Sequence, residues 1–419
     1  MSTTAFGIDF GTTNSTVGLA ARGQTPKLIA VEGAHVTIPS ALFFSLEDGQ
    51  TYFGRGAVFE YMDGAEGRFM RALKSILGTS LMKETTQVGR TRMTFEMLIG
   101  RFLRHLRDSI QAHHGAVPSS VVLGRPVRFI DENDAADIEA QNQLEAAART
   151  QGFEHIEFQF EPVAAALHYE RLIDAEELAL VVDIGGGTSD FSVLRLSPER
   201  AKRLDRSDDI LSTAGVHVGG TDFDRLFNIA RVMPEFGLGS GTKDGKRHLP
   251  VWYFNDMATW HRINTLYTAK NMRDIQALAR EAAAPEKLER YAHLLAHRSG
   301  HRLAAAVETA KIALTDADAA DIHLSEPGLT LELPASRAEF EAATAELVAR
   351  IDASIDDAIK RAGISGDEIS TVILTGGGAL VPAVREAAER KLKGARISQP
   401  DQFGAVGLGL AIDAARRFG

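Results

Sequence analysis

The 419-residue sequence has no cysteine, which excludes disulfides, thiolate metal sites and cysteine nucleophiles. It has no long apolar run: nothing approaches the roughly 18 consecutive residues that a membrane span needs. The opening "MSTTAFGIDFG" has neither a charged n-region nor an apolar h-region, so no secretory signal is read there and a cytoplasmic location is expected. A basic excess is missing too. Lys and Arg number 46 against 56 Asp and Glu, a net charge of -10, which argues against a nucleic-acid partner. The densest basic strip, "RFLRHLRD", places Arg101, Arg104 and Arg107 at helical spacing and reads as a solvated helix face. What remains, 44% hydrophobic residues and a mean hydropathy of -0.09, describes a soluble globular chain too long for one ordinary core.

Two stretches share one grammar. "FGIDFGTTNSTVGLA" (6–20) and "LVVDIGGGTSDFSVL" (180–194) each carry an apolar strip ending in aspartate, a turn of glycines and hydroxyls, and a second apolar strip. Each reads as a β-hairpin. A larger order repeats around them. In the first half the helical pattern "FEMLIGRFLRHLRDSIQAHH" precedes the strand "SSVVLGRPV" and the helix "DAADIEAQNQLEAAARTQGF". In the second, "SRAEFEAATAELVARIDASIDDAIKRAG" precedes "STVILTGGGALVP" and "AVREAAERKLKG". The expected fold is α/β, with two similar lobes: lobe I over 1–174, lobe II over 175–396, and a closing helix over 397–419. Residues 233–306 fit the scheme less well. They open as a loop, turn helical with a break at Pro285, and read as an insertion in lobe II.

Small residues let backbone approach a ligand closely, and successive N–H groups in such turns make an anion-binding concavity. Thr12, Thr13, Ser15, Thr188 and Ser189 add hydroxyl donors, and an aspartate at each strand end, Asp9 and Asp183, can hold a divalent cation through water. Either hairpin alone reads equally well as a structural turn. Two together, with the glycine-rich "LTGGGALVP", point to a clamp on a metal-bound polyphosphate.

The pattern resembles the actin, hexokinase and heat-shock ATPase superfamily, and within it the DnaK-type seventy-kilodalton heat-shock chaperones. "GIDFGTTNS" and "VVDIGGGTSDFSVL" resemble that family's two phosphate motifs. "FEPVAAALHY", "VHVGGTDFD", "VETAKIALT", "VILTGGGALVP" and "QPDQFGAVGLGLAIDAA" are similar to its other site segments, in order. The resemblance implies a two-lobed actin-like ATPase fold of duplicated ribonuclease-H-like domains, binding ATP or ADP with Mg²⁺. It implies metal-positioning carboxylates at Asp9 and Asp183, and phosphate contacts from Gly11, Thr12, Thr13, Asn14, Gly185, Gly186, Gly187 and Thr188. Lys74, in "RALKSILG", would be the lysine near the γ-phosphate, and Glu161 would orient the attacking water. Glu308 and Lys311 would contact the ribose, Gly376, Gly377 and Gly378 would pass close to the nucleoside, and Gly219, Gly220, Thr315, Leu380 and Asp401 would also take part in nucleotide binding. Catalysis would rest on Lys74, Glu161, Asp183 and Thr188. Taken without the family, Lys74 is an ordinary surface lysine, Glu161 ends a strand, and Glu308 with Lys311 is a helix pair worth a few tenths of a kcal/mol (~0.3).

The sequence also departs from that pattern. The family's peptide-binding domain has no counterpart in it, so a short, YegD-like member is expected. Leu380 stands where the family usually has an arginine packed on the adenine, so a cation–π contribution of about 0.5 to 2 kcal/mol is lost. The stretch from Asp222 to Glu308 exceeds the usual spacing and holds both tryptophans, Trp252 and Trp260. This aromatic cluster reads as the insertion's own packing or as a partner surface. His293, His297 and His301 recur at four-residue intervals, as a metal-binding helix face would, and read as a solvated or structural one. The expected function is a slow Mg²⁺-dependent ATPase of chaperone type. Nucleotide-dependent lobe closure would control a protein partner or client, with a possible nucleotide-exchange factor and no nucleic acid or membrane. The alternatives are a nucleotide-sensing scaffold with little hydrolysis, a bacterial-actin-type filament subunit, and a small-molecule kinase using Asp190 or Asp222 as base.

Overall fold

The computed structural model describes residues 4–115, 117–130, 133–399 and 404–419, apart from the side chain of His168. Both repeated stretches are hairpins. Thr4–Phe10 pairs antiparallel with Asn14–Ala21, and Glu177–Ile184 pairs antiparallel with Ser189–Leu196. The sheets grown around them have the same order. Beyond Asn14–Ala21 lies the antiparallel Lys27–Leu28, and on the other side of Thr4–Phe10 come Ser120–Arg125 and His155–Phe160, both parallel. Beyond Ser189–Leu196 lies the antiparallel Ile210–Val216, and beyond Glu177–Ile184 come Ile369–Thr375 and Arg396–Ser398, again parallel. Parallel neighbours need crossover connections, and the repeated helices supply them: Phe95–His114 and Asp134–Arg149 in one copy, Arg337–Ala362 and Pro382–Lys391 in the other.

The helix Phe95–His114 shows how the local pattern is realised. Thr94 caps it by accepting from the Met97 N–H at 3.2 Å, and Gly115 ends it at φ 81°. Leu98, Ile99, Phe102, Leu103, Leu106 and Ile110 recur at helical spacing and are buried, each contributing about 2 kcal/mol of transfer free energy. Arg101 and Arg104 lie on the solvent side as expected. Arg107 is half-buried and donates to the carbonyls of Pro118 and Gly152.

The chain divides into two compact units. The first comprises residues up to His217 with Asp352–Ala379 and Arg385–Gly419, and so contains both repeated sheets. Within it the closing helix Ala405–Phe418 lies against the first hairpin at van der Waals range. A Cβ at Gly7 would overlap the Leu410 and Ala411 backbone, one at Gly18 would fall 2.9 Å from the Ala411 side chain, and one at Gly409 would strike the Ala164 backbone. Glycine is required at these positions because the backbones themselves are in contact.

The second unit is Val218–Ile351 with Leu380–Val384. Its helices include Gly220–Phe227, Trp252–Ala258, Ala269–Glu281, Pro285–Ala296 and Gly300–Asp316, beside the hairpin Ala319–Glu326/Leu329–Ser336. The break at Pro285 is present, with proline in the first turn of a new helix, where its missing N–H costs nothing. The aromatic cluster is largely internal packing: Tyr253, Phe254 and Tyr291 are buried edge to face, and the Tyr291 hydroxyl donates to the Tyr253 carbonyl at 2.7 Å. Trp252 stays 44% exposed, stacked on Tyr253.

The three histidines do not share one helix face. The first helix ends at His297, Arg298 takes φ 51°, and His301 belongs to the next helix, buried with its Nε2 3.1 Å from the Trp260 carbonyl. His293 instead meets Glu326 at 3.0 Å and stacks on His297. No group of three or more metal-ligating side chains with metal-site geometry occurs among the described residues. No helix among them is long and apolar enough to cross a membrane.

Candidate functional site

In the first unit the two hairpin turns meet. A Cβ on Gly186 would fall 3.1 Å from the Thr13 Cβ, so the second turn presses on the first and only glycine fits. A third turn joins them. Gly376, at φ 79°, follows Ile369–Thr375, and a Cβ there would lie 2.7 Å from Asp183 Oδ1, while one on Gly378 would lie 3.1 Å from the Ile184 Cβ. Gly187 faces open space, and Gly187 and Thr188 are exposed. The Gly185 N–H donates to the Thr188 carbonyl at 2.9 Å, closing the second turn. The first is held from outside. Ser40 Oγ donates to the Gly11 carbonyl at 2.6 Å, its N–H donates to the Thr13 carbonyl at 2.8 Å, and its hydroxyl pairs with Ser15 at 2.9 Å. Ser40 lies 29 positions from Gly11, and nothing local in the sequence marks it.

Beneath the turns lies a cluster of charges. Asp9 ends the strand Thr4–Phe10 opposite Thr16, and Asp183 ends the strand Glu177–Ile184 opposite Asp190. Lys74, only 8% exposed, sits in the short turn Leu73–Ile76 and makes an ion pair with Glu161. Glu161 opens the helix Glu161–Glu170 with Pro162 behind it, and its side chain lies over Gly124, where a Cβ would come within 3.2 Å. The turn that delivers Lys74 starts at Ala72 with φ 56°, a left-handed conformation costing a non-glycine residue about 1 to 2 kcal/mol. Strain of this kind persists where the surroundings enforce it.

The electrostatics follow from crowding. Burial pushes the Asp9 carboxyl up to about 7, with Glu161 adding to the shift and Lys74 opposing it. Burial pushes Asp183 up to about 8, reinforced by Asp190, Glu161 and Asp9. Burial alone would pull Lys74 down, yet Glu161, Asp9 and Asp183 hold it above the ordinary lysine value. Three carboxylates thus act on one ammonium, and Asp190 adds a fourth negative charge beside Asp183. Such a cluster lacks positive charge, and oxygen donors of this kind suit a hard divalent cation. Asp190 was expected only as a candidate base in the kinase alternative, not as part of the nucleotide site. Its signal was in the hairpin register, which sets it opposite Asp183.

The second unit carries Glu308 and Lys311, expected to contact the ribose, and others of the expected nucleotide-binding residues. Gly219 caps the helix Gly220–Phe227, its N–H donating to Asp222 Oδ2 at 3.0 Å. Lys311 is already engaged: its Nζ meets Asp224 at 2.8 Å and the Gly220 carbonyl at 3.4 Å. The Thr315 hydroxyl donates to the Ile312 carbonyl at 2.7 Å. Glu308 is exposed, and Leu380 is half-buried at the end of the turn Gly377–Leu380. Asp401 lies outside the described residues.

Two sheets that share a five-strand order, the first with Thr37–Pro39 added beside Asn14–Ala21, each built on a hairpin that ends in an aspartate and a glycine–hydroxyl turn, define the actin-like ATPase fold. The family model described as Hsp70 protein matches residues 5–242 and 279–418, and the chain belongs to that family. The unmatched residues between those segments lie inside the expected insertion. The chain is also similar to a protein named Chaperone protein DnaK from Mycoplasmopsis synoviae (strain 53), at 28% identity over 417 residues. That alignment covers 97% of this chain and 57% of the relative, so the chain spans less than two thirds of the curated relative's length.

Proposed function

We propose that the protein binds ATP with Mg²⁺, hydrolyses it slowly, and works as a chaperone-like cytoplasmic switch. The observation that carries this reading is the cluster of Asp9, Asp183, Glu161 and Lys74 beneath three converging glycine turns. The N–H groups of Gly11 to Asn14 and Gly185 to Thr188 offer donors to phosphate oxygens. Lys74 brings its ammonium to the transferring phosphoryl group, and Glu161, its partner, is set to orient a water. Phosphoryl transfer asks chiefly for positioning and charge neutralisation. A bound Mg²⁺ would supply the missing positive charge, held through water by Asp9 and Asp183. Nucleotide-dependent closure of the lobes would then set the affinity for a protein client, with an exchange factor as a possible second partner.

The test is turnover of Mg-ATP by the wild type, Lys74→Ala and Asp183→Asn. Slow Mg²⁺-dependent hydrolysis that both substitutions reduce strongly is expected. Turnover unchanged in both would remove the mechanism. A second reading, a nucleotide sensor with little hydrolysis, has one observation in its favour: Lys74 and Glu161 are spent on each other. It predicts Mg²⁺-dependent binding without turnover.

A further inference from the structure

We propose that the insertion carries a docking site for an acidic segment of a partner protein. Val251 and Trp252 hold an apolar side chain of that segment, and Lys246, Arg273 and Arg280 meet its carboxylates. All five residues belong to the second compact unit, and none is a residue of the nucleotide site, so the inference stands apart from the nucleotide reading.

Residues 243–278 lie between the two segments that the Hsp70 family model matches, so they fall outside what the family shares. They hold six Lys and Arg against three Asp and Glu, a balance of +3 in a chain whose net charge is -10. A local sign opposite to that of the whole molecule attracts what the rest repels. The apolar part is equally unlike a plain solvent face. Pro250, Val251 and Trp252 are exposed in succession, Val251 by 52% and Trp252 by 44%, and consecutive exposed apolar residues are unfavourable unless a partner covers them.

The two features adjoin. The short loop in which Gly241 bridges to His248 leads directly into Pro250–Trp252. Backbone bonds fasten it to the end of the helix Ala269–Glu281: the Lys243 N–H donates to the Glu281 carbonyl at 2.8 Å, and the Ala283 N–H to the Gly241 carbonyl at 2.9 Å. Earlier in that helix, Asp274 accepts from the Tyr253 hydroxyl at 3.4 Å, and Trp252 stacks on Tyr253 with ring centroids 3.7 Å apart. Asp274 and Glu281 are seven positions apart on one helix row, about 10 Å, so the loop and the tryptophan lie within reach of one short peptide. The same contacts occupy the acids. Asp274 pairs with Lys270 at 2.6 Å and Glu281 with Arg247 at 2.9 Å, while Asp244 accepts from the Thr242 hydroxyl and the Lys246 N–H. Arg273 and Arg280, each one position ahead of an acid, form the next row. They are exposed, and with Lys246 their side chains make no hydrogen bond or ion pair among the described residues. Trp and Arg are the residues enriched where binding energy concentrates, and a strip fixed by backbone bonds loses little ordering entropy on binding. A polypeptide fits better than a nucleic acid. One exposed tryptophan gives a single stacking platform, and a nucleic acid would carry its continuous charge past the strip onto a molecule of net charge -10.

The experiment is fluorescence anisotropy of a labelled acidic peptide, built of Glu and Asp around one Leu–Phe pair, titrated with the full chain. A peptide with Lys in place of every acid and a labelled oligouridylate are run beside it. Saturable binding of the acidic peptide alone is expected, weakening as salt rises. Trp252→Ala should weaken it about 30-fold, the scale of a central aromatic anchor. Lys246→Glu combined with Arg273→Glu should weaken it about tenfold at low salt. Both of those side chains are exposed, so the double variant tests the site without touching the packing of Trp252 on Tyr253. Affinity unchanged in either variant, no binding of the acidic peptide by the wild type, or oligouridylate bound as tightly as the peptide would overturn the proposal. So would a dimer in sedimentation that Trp252→Ala disperses, since a second copy would then cover the strip.

Discussion

The two hairpins are copies in backbone and differ in what they carry. Asp9 and Asp183 occupy equivalent places, each followed by a four-residue turn, and Phe10 opposite Ser15 matches Ile184 opposite Ser189. One step further the copies diverge. Asp9 faces the buried, uncharged Thr16, whereas Asp183 faces a second carboxylate, Asp190. Two steps further in, the first hairpin has a glycine pair, Gly7 and Gly18, where the second has Val181 and Ser192. The repeat supplies a frame that aims two turns at one place. The second hairpin carries the extra charge, and the first lacks side chains at its glycine pair, where the closing helix comes to backbone contact.

The largest test of this comparison is functional. Asp9→Asn and Asp183→Asn should each lower Mg-ATP turnover by about 100-fold, the scale of losing one pre-organised charged group at a phosphoryl-transfer site. Asparagine keeps the shape, so folding is preserved. The substitutions should differ in a second readout, the melting temperature of the free protein. Above about pH 8, where both carboxyls have given up their protons, Asp183→Asn relieves repulsion from Asp190, Glu161 and Asp9 and should raise it more than Asp9→Asn. If one aspartate is silent in turnover, the two turns do not serve one ligand.

The next test concerns the glycines. Gly18→Ser drives a side chain into the closing helix, where its Cβ would sit 2.9 Å from the Ala411 side chain and closer still to backbone. It should cost about 3 kcal/mol, the upper range for overpacking. The reciprocal change in the other hairpin, Ser192→Gly, asks only for backbone entropy, about 1 kcal/mol. Denaturant midpoints of the two variants decide. Equal losses would mean that the closing helix can move aside.

Much of this was legible from residues alone, and the reasons are local. The hairpins, the crossover helices and the break at Pro285 rest on periodicity and turn chemistry, which act over a few residues. The hold of Ser40 on Gly11, the burial of Lys74 and its pairing with Glu161 were not readable as contacts, because they join residues 29 and 87 positions apart. Lys74 read by itself as a surface lysine; only the family resemblance singled it out. The histidine spacing misled for a related reason. Four-residue intervals imply one face only while the helix continues, and Arg298 in the left-handed region interrupts it.

A smaller effect is the pH dependence of stability in the free protein. In the unfolded chain both aspartates ionise near 3.8, but in the folded chain they keep their protons up to about 7 and about 8. Between those values the native state binds more protons, so this contribution to stability is complete below about pH 4 and is lost as pH rises through 7 to 8. Melting temperature should therefore fall from pH 6 to pH 8.5. Asp183→Asn should flatten the upper part of that fall, and added Mg²⁺ should oppose it. A melting temperature rising with pH over this range in the wild type, without Mg²⁺, would contradict the crowded-carboxylate picture.

The smallest effect isolates the first hairpin. Thr16 stands where the second hairpin has Asp190, and its Oγ1 is buried without a hydrogen-bond partner among the described residues. An unpaired buried hydroxyl costs about 1 to 3 kcal/mol, and replacing it with an apolar group of the same shape removes that cost. Thr16→Val should therefore be neutral or stabilising by about 1 kcal/mol, since valine keeps the branched shape and the strand preference. Nucleotide binding decides what the hydroxyl is for. If Thr16→Val stabilises the free protein and leaves Mg-ATP affinity unchanged, the first hairpin needs only its aspartate, and the second carboxylate is a speciality of the other copy. If affinity falls, the hydroxyl has been held unpaired for the ligand, and Thr16 and Asp190 are functional counterparts after all.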